Sequence, residues 1–239
     1  MYPDYNSPQQ YQQYPADTAR VGSLVNSTMK RVYFKMTLGL IVTAVVSLLC
    51  TAPEYLQFVQ RNGWVWLALI IAEFGIVFAI SGAIRRISTP VATLLFYVFA
   101  VINGMMLFTI FYAYSLSAIT KTFFITAGTF GAMSVYGYFT SRDLSRIGSF
   151  LTMALFGLII AIVVNFFVRS SALDWIISIV GVFIFVGLTA WDTQQVKTMA
   201  EVTPSDQAGR LSTIGALTLY LDFINLFLFL LRIFGGNRD

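Results

Sequence analysis

Long stretches of this chain contain no charged side chain, and the longest of them, residues 87–120, extends for 34 residues. A helix that crosses a lipid bilayer needs about 20 apolar residues, so this stretch is too long for one span. Only 11% of the residues are charged and 57% are hydrophobic, whereas soluble domains carry about 25% charged residues. The chain is therefore predicted to be an all-α polytopic membrane protein.

Charges, prolines and polar turns divide the apolar sequence into seven predicted transmembrane helices. Pro90 can begin the third of them, and the polar residues 114–117 can end it. The seven predicted spans cover residues 36–53, 62–84, 90–113, 122–141, 147–168, 175–192 and 213–234. They form one predicted transmembrane domain over residues 31–239, with short loops and no room for a second soluble domain.

The first 30 residues differ from the rest because they are rich in Gln, Tyr and Pro and lack hydrophobic periodicity. Such a composition cannot bury enough apolar surface to become ordered. A signal peptide is not indicated, since no apolar core follows closely behind a basic start. Residues 1–30 are therefore predicted to be a disordered cytoplasmic tail.

The distribution of basic residues predicts how the helices are oriented. With seven spans, ten Lys and Arg residues lie on the side of the N-terminus and five on the other side. Since cytoplasmic loops carry the excess of Lys and Arg, the N-terminus is predicted to be cytoplasmic and the C-terminus external. The sequence pI of about 9.2 then reflects contact with an anionic membrane surface, and no nucleic-acid partner is expected.

The absence of histidine limits the chemistry that the chain can perform. The sequence has no His and a single cysteine, Cys50, which excludes histidine-based triads, histidine-bearing zinc sites and an intrachain disulfide. It also removes the usual physiological pH switch. We expect neither an enzyme nor a bound cofactor, and Asp, Glu, Lys and Arg are the remaining candidates for function.

Three carboxylates lie in or against predicted spans: Glu73, Asp192 and Asp222. A charged side chain at the centre of a bilayer costs about 2.5–3.5 kcal/mol on insertion scales, and such residues usually mark an ion or proton pathway. Asp192 and Asp222 lean toward each other from antiparallel neighbouring helices, because helical side chains point toward their own N-terminus. Two adjacent carboxylates are not easily both ionised, so this pair is predicted to share a proton and to sense pH.

Basic residues supply two further expectations. Arg232 leans inward from the outer end of the last span, and Glu73 leans outward from the middle of the second, so a buried structural ion pair is predicted between them. Arg85 and Arg86 end the second span on the cytoplasmic side, where Asp192 also lies. They either anchor the helix at the membrane surface or form a salt-bridge latch with Asp192.

Small residues of the fourth predicted span offer places where helices can approach closely. These are the run from Ala127 through Gly128 to Gly131, and later Gly137. Small residues in membrane helices commonly serve helix packing, so we assign them a packing role.

Motifs in the C-terminal third resemble those of the transmembrane Bax-inhibitor-motif family. The last span reads Ala-Leu-Thr-Leu-Tyr-Leu-Asp-Phe-Ile-Asn over residues 216–225, followed by Arg232-Ile-Phe-Gly235. The sixth span contains Thr-Ala-Trp-Asp-Thr-Gln-Gln over residues 189–195, and residues 141–145 also look like a family feature. The resemblance covers roughly residues 28–236.

This resemblance implies a seven-helix fold with the last helix surrounded by the others, and a pH-sensitive calcium leak through the membrane. It implies that Asp192 and Asp222 form a di-aspartyl pH sensor that contacts calcium transiently, with Asn225 of the same motif as a supporting polar residue. It also implies that a basic residue at the inner end of the second span, Arg85 or Arg86, latches to Asp192. Calcium prefers carboxylate and carbonyl oxygens, which agrees with this interpretation.

Other classes stay open from the sequence alone. A proton/calcium exchanger is hard to separate from a channel, and a non-transporting regulator that binds other membrane proteins is a further alternative. An intramembrane aspartyl protease also uses a carboxyl pair, but its second aspartate follows a Gly-x-Gly motif, whereas Asp222 follows Leu-Tyr-Leu. The expected partners are calcium ions, protons and the lipid bilayer, and the expected location is a bacterial inner membrane.

Overall fold

The structure, a computed structural model, describes residues 8–83 and 87–236, and it is helical throughout apart from short turns and loops. The described helices are α1 (Pro8–Leu49), α2 (Pro53–Arg61), α3 (Trp64–Ala83), α4 (Thr89–Leu107), α5 (Ile110–Ala113), α6 (Leu116–Phe139), α7 (Ser145–Val168), α8 (Ser171–Val202) and α9 (Ala208–Phe234). The predicted all-α class is therefore confirmed for this part of the chain.

Five of the described helical stretches are long and apolar enough to cross a membrane: Arg20–Leu49, Thr89–Ala113, Ser145–Val168, Ser171–Val202 and Ala208–Phe234. Helix α2 and the segment Trp64–Ile80 of α3 qualify together, although they are bent by 96° at the break between them. Helix α6 has 24 residues but contains several Thr, Ser and Gly residues, which lower its apolar character. Five or six candidate spans are thus evident, and the count of seven stays a prediction.

Helix α9 is at the centre of the bundle. It packs against α1, α4, α6 and α8, and its side chains are buried around most of its circumference. Tyr220, Leu219 and Leu226 are completely inaccessible to solvent. A helix that is apolar on all sides is expected to lie inside a bundle, and α9 is the helix that carries Asp222.

The N-terminal region differs from the predicted disordered tail. Helix α1 begins at Pro8, and Val25, Thr28 and Met29 are buried with exposures of 4% or less. Together with Val32 and Met36, which are also buried, these residues recur at the spacing of three and four that keeps one helical face inward. The buried face of the first span therefore begins before residue 30. Residues 1–7 lie outside the described part of the chain.

Helix α8 extends ten residues beyond the predicted end at residue 192 and finishes at Val202. Thr193, Val196 and Ala200 continue its buried face. Gln194 braces the loop that joins α6 to α7: its Oε1 accepts a hydrogen bond from the Leu144 backbone N–H at 2.9 Å, and its Nε2 donates to the Arg142 carbonyl at 2.8 Å. Asp192 consequently lies well inside a helix.

Candidate functional site

Asp192 and Asp222 lie side by side where α8 and α9 pack together. Asp222 is only 4% exposed, and the two carboxyl groups are within hydrogen-bonding reach of each other. A hydrogen bond between two carboxyl groups requires one of them to carry a proton. Oδ2 of Asp222 is buried without a hydrogen-bond partner among the described residues. The side chains that the sequence predicts to lean together are thus neighbours in the structure.

A cavity of about 550 Å³ lies beside this pair and is bordered by α3, α4, α7, α8 and α9. Its walls are largely apolar, with Phe99, Leu158, Phe185 and Leu188 among the lining residues. Three polar side chains of α9 line it at helical spacing: Thr218, Asp222 and Asn225. Residues separated by four and three positions lie on one face of a helix. Helix α9 therefore presents a row of polar side chains to a largely apolar cavity.

Asn225 and Glu73 are each held in the cavity wall by a hydrogen bond. The side-chain Nδ2 of Asn225 donates to the Leu221 carbonyl of its own helix at 2.8 Å, which holds the amide beside the cavity. Glu73 enters the cavity from α3, and its Oε1 accepts a hydrogen bond from Asn103 Nδ2 of α4 at 3.0 Å. All three sequence-predicted carboxylates consequently line the same cavity.

The predicted ion pair between Glu73 and Arg232 is wrong. Arg232 Nη1 lies 3.5 Å from Asp174 Oδ1, and these two side chains are 41% and 52% exposed. The reason is the antiparallel packing of α8 and α9, which places the first turn of α8 next to the last turn of α9. An acidic side chain in a first turn and a basic side chain in a last turn are each also favoured by their helix dipoles. Glu73 pairs with the amide of Asn103 instead.

This geometry predicts a small effect for the substitution Arg232→Gln. An exposed ion pair contributes about 0.2–1 kcal/mol, whereas removing one partner of a buried pair costs about 3–5 kcal/mol. We therefore expect the free energy of unfolding to fall by no more than about 1 kcal/mol. Denaturant unfolding of the detergent-solubilised protein measures this change. A loss of several kcal/mol would contradict the exposed pairing.

Two close helix contacts fix α8 at the level of Asp192. Gly137 of α6 faces the backbone of Ala190 so closely that a Cβ at this position would overlap the Ala190 carbonyl oxygen. Gly148 of α7 likewise faces the indole of Trp191, and a Cβ there would overlap the ring. Since Ala190 and Trp191 directly precede Asp192, these contacts orient the segment of α8 that carries the carboxylate.

Two polar residues near the core are not among the candidate functional residues predicted from the sequence. Asn103, the partner of Glu73, could have been noticed as a lone amide within a long apolar run. Lys35 of α1 is half-buried, and its Nζ lies within hydrogen-bonding distance of Thr213 Oγ1 (2.7 Å), Ser212 Oγ (3.0 Å), Thr93 Oγ1 (3.2 Å) and the Gly209 carbonyl (3.3 Å). This ammonium group connects α1 to α4 and α9. From the sequence alone, Lys35 is one of the basic residues predicted to lie at the cytoplasmic membrane surface.

The latch candidates Arg85 and Arg86 lie outside the described residues. Among the residues that are described, no three acidic or cysteine side chains are grouped so that they could hold a metal ion. Asp192, Asp222 and Glu73 line one cavity.

A bundle of long apolar helices that packs two adjacent carboxyl groups between its helices has the composition of a polytopic membrane protein. The model of the Bax1-I family, described as inhibitor of apoptosis-promoting Bax1, matches residues 25–239. The chain belongs to this Bax inhibitor family, as the motifs of the sixth and seventh predicted spans indicate.

Several bacterial proteins are similar to this chain over most of their length. The inner membrane protein YbhL of Escherichia coli K12 is 46% identical over 214 residues, which cover 88% of this chain and 92% of the relative. An uncharacterised protein of Borreliella burgdorferi is 44% identical over 217 residues, 90% of this chain and 94% of the relative. The uncharacterised protein RP147 of Rickettsia prowazekii is 42% identical over 212 residues, 88% and 90% of the two chains. The name of the first relative describes a protein of the bacterial inner membrane.

Proposed function

We propose that this protein is a pH-sensitive calcium leak channel of the bacterial inner membrane, with seven spans and a cytoplasmic N-terminus. The observation that carries the proposal is the pair of contacting carboxyl groups, Asp192 and Asp222, beside a cavity within the helical bundle. Calcium binds carboxylate, carbonyl and water oxygens. Most of the polar side-chain atoms along this cavity are oxygens, and they belong to Glu73, Thr152, Asp192, Thr218, Asp222 and Asn225.

In this proposal the pair gates the pathway by changing its charge. With one shared proton the pair carries a single negative charge, and without that proton it carries two. Two like charges in contact repel by about 4 kcal/mol at an effective dielectric of 20, and both attract a divalent cation. Proton loss therefore favours separation of α8 from α9, or a cation between them.

The proposal assigns Arg85 or Arg86 as a latch on Asp192. A guanidinium group pairs with a carboxylate through two parallel hydrogen bonds, and this interaction ends when the carboxylate takes up a proton. The same protonation event would thus alter the charge of the pathway and release the end of α3. Glu73 and Asn225 are proposed to supply oxygens to a calcium ion in transit, without forming a permanent site.

Reconstituted protein tests the proposal directly. Liposomes loaded with a calcium-sensitive dye and containing the full chain should admit calcium down its own concentration gradient, at a rate that depends on pH. Liposomes without protein serve as the control. Flux that requires an opposing proton gradient would make the protein an exchanger, and no flux under any condition would favour a non-transporting regulator. Cleavage of a membrane peptide would favour an aspartyl protease.

A further inference from the structure

A second, larger recess lies apart from the carboxyl cavity, and the two recesses share no lining residue. It has a volume of about 790 Å³ and extends between α1 and α6, each of which packs against α8 and α9. Its floor is formed by buried side chains of three helices, including Met29, Met36, Phe130 and Phe223. We call this recess the α1–α6 groove.

Small residues of α6 create the depth of the groove. Ala127 and Gly131 line it, and a Cβ placed at Gly131 would meet no atom within 4 Å. Gly131 therefore does not serve close packing of helices, unlike Gly137 six residues later. The space in front of it is open to a ligand.

The two ends of the groove differ chemically. At one end lie Lys30, Asn26 and Tyr138, and the Tyr138 hydroxyl donates to Asn26 Oδ1 at 2.6 Å. At the other end the walls are apolar, with Leu40 and Phe123. Fourteen residues of α1 separate Asn26 from Leu40, which is about 21 Å along a helix. One half of the hydrocarbon layer of a bilayer is about 15 Å thick, so the groove is long enough for an extended acyl chain.

Charge and an unpaired hydroxyl indicate what the groove accepts. Lys30 is exposed, and within the described part of the chain it is the one charged side chain that lines the groove. The Ser134 Oγ also lines it, is 5% exposed as a residue, and has no hydrogen-bond partner among the described residues. A buried hydroxyl without a partner costs free energy, which a ligand atom with hydrogen-bonding capacity would recover.

We propose that the α1–α6 groove binds one anionic phospholipid from the leaflet next to Lys30. The acyl chain lies along Phe130 and Gly131, the ester region reaches the Ser134 hydroxyl, and the phosphate pairs with Lys30. The floor residue Phe223 contacts Phe130 with ring centroids 5.4 Å apart and directly follows Asp222 in α9. A bound lipid therefore packs against the same turn of α9 that carries Asp222.

Native mass spectrometry of the full chain in detergent tests this proposal with phosphatidylglycerol and phosphatidylcholine of identical acyl chains. We expect the delipidated wild type to bind one phosphatidylglycerol more tightly than phosphatidylcholine. Gly131→Leu fills the groove, and displacing two methylenes from it should weaken binding about sixteenfold, since each buried methylene contributes about fourfold in affinity. Gly128→Leu is the matched control, because Gly128 is exposed on the same helix, also has open space, and does not line the groove.

A second variant tests the headgroup independently of helix packing. Lys30→Gln should abolish the preference for phosphatidylglycerol, whereas binding through the acyl chains, which both lipids share, should remain. Lys121→Gln is the control: Lys121 lies near the start of α6 and does not line the groove, so this variant should keep the preference. Equal binding by the Gly131→Leu and Gly128→Leu variants would overturn the proposal. A dimer that Gly131→Leu disrupts would also overturn it, because a second copy of the chain would then fill the groove.

Discussion

Replacement of either Asp192 or Asp222 by asparagine should make calcium flux through this protein independent of pH over the neutral range. Asparagine has nearly the shape of aspartate but cannot ionise, so the variant pair carries at most one charge. The repulsion of about 4 kcal/mol between two contacting carboxylates at an effective dielectric of 20 is then absent at every pH. Flux into dye-loaded liposomes at a series of pH values measures the effect, and each variant should give a flat profile.

Asp174→Asn provides a control on the same helix. Asp174 lies in the first turn of α8, pairs with the exposed Arg232 and does not line the cavity. It is separated from Asp192 by about 27 Å along the helix. This variant should keep the wild-type pH profile. A pH-dependent calcium flux that survives in both the Asp192 and the Asp222 variant would contradict the di-aspartyl sensor.

Substitution of Gly137 by alanine should produce the second large effect, a loss of stability. A Cβ at this position would overlap the Ala190 carbonyl oxygen, which is backbone and cannot rotate away. Helices α6 and α8 would have to separate, and overpacking of this kind costs about 1–3 kcal/mol or more. Unfolding of the purified protein in detergent, followed by the loss of helical circular dichroism, should show the decrease.

Gly128→Ala is the matched substitution, because it adds the same methyl group to the same helix in open space. It should be neutral or slightly stabilising, since alanine is the better helix former by about 1 kcal/mol. The contact between Gly137 and Ala190 lies two residues from Asp192, so Gly137→Ala should also disturb the pH dependence of flux. Equal stability of the two alanine variants would show that α6 and α8 are not in close contact at Gly137.

Hydrophobic patterning predicts much of this fold. The apolar runs correspond to α3, α4, α7 and α9 within a few residues at most ends, because uncharged stretches of this length form helices in a membrane setting. Patterning fails where a helix becomes amphipathic at its end. The buried faces of α1 before residue 30 and of α8 beyond residue 192 recur at helical spacing, but the polar residues between them make these segments resemble a tail and a loop. The sequence does not predict helix α2, because its nine residues are too few to show a clear helical pattern.

The sequence likewise predicts only part of the candidate site. The proximity of Asp192 and Asp222 could be predicted, since it depends only on the order of two adjacent antiparallel helices and the direction of their side chains. The partner of Glu73 could not be, because it depends on which helices α3 packs against. Gly128, Gly131 and Gly137 are equivalent in the sequence, yet only Gly137 among them meets another helix backbone. Such differences arise from tertiary packing, which no local pattern encodes.

The one-sided packing of α3 has a consequence for how the molecule can change shape. This helix packs mainly on α4, and Leu67, Ile71, Phe74 and Phe78 on its outer side are exposed. Its described polar tie to the bundle is the hydrogen bond from Asn103 to Glu73, which contributes about 1.5–3 kcal/mol when one partner is charged. A displaced α3 would keep its outer face in lipid and leave the core around α9 intact. Two positions of α3 can therefore differ by only a few kcal/mol, which is the range in which a minor conformation is populated and a proton or an ion can shift the balance.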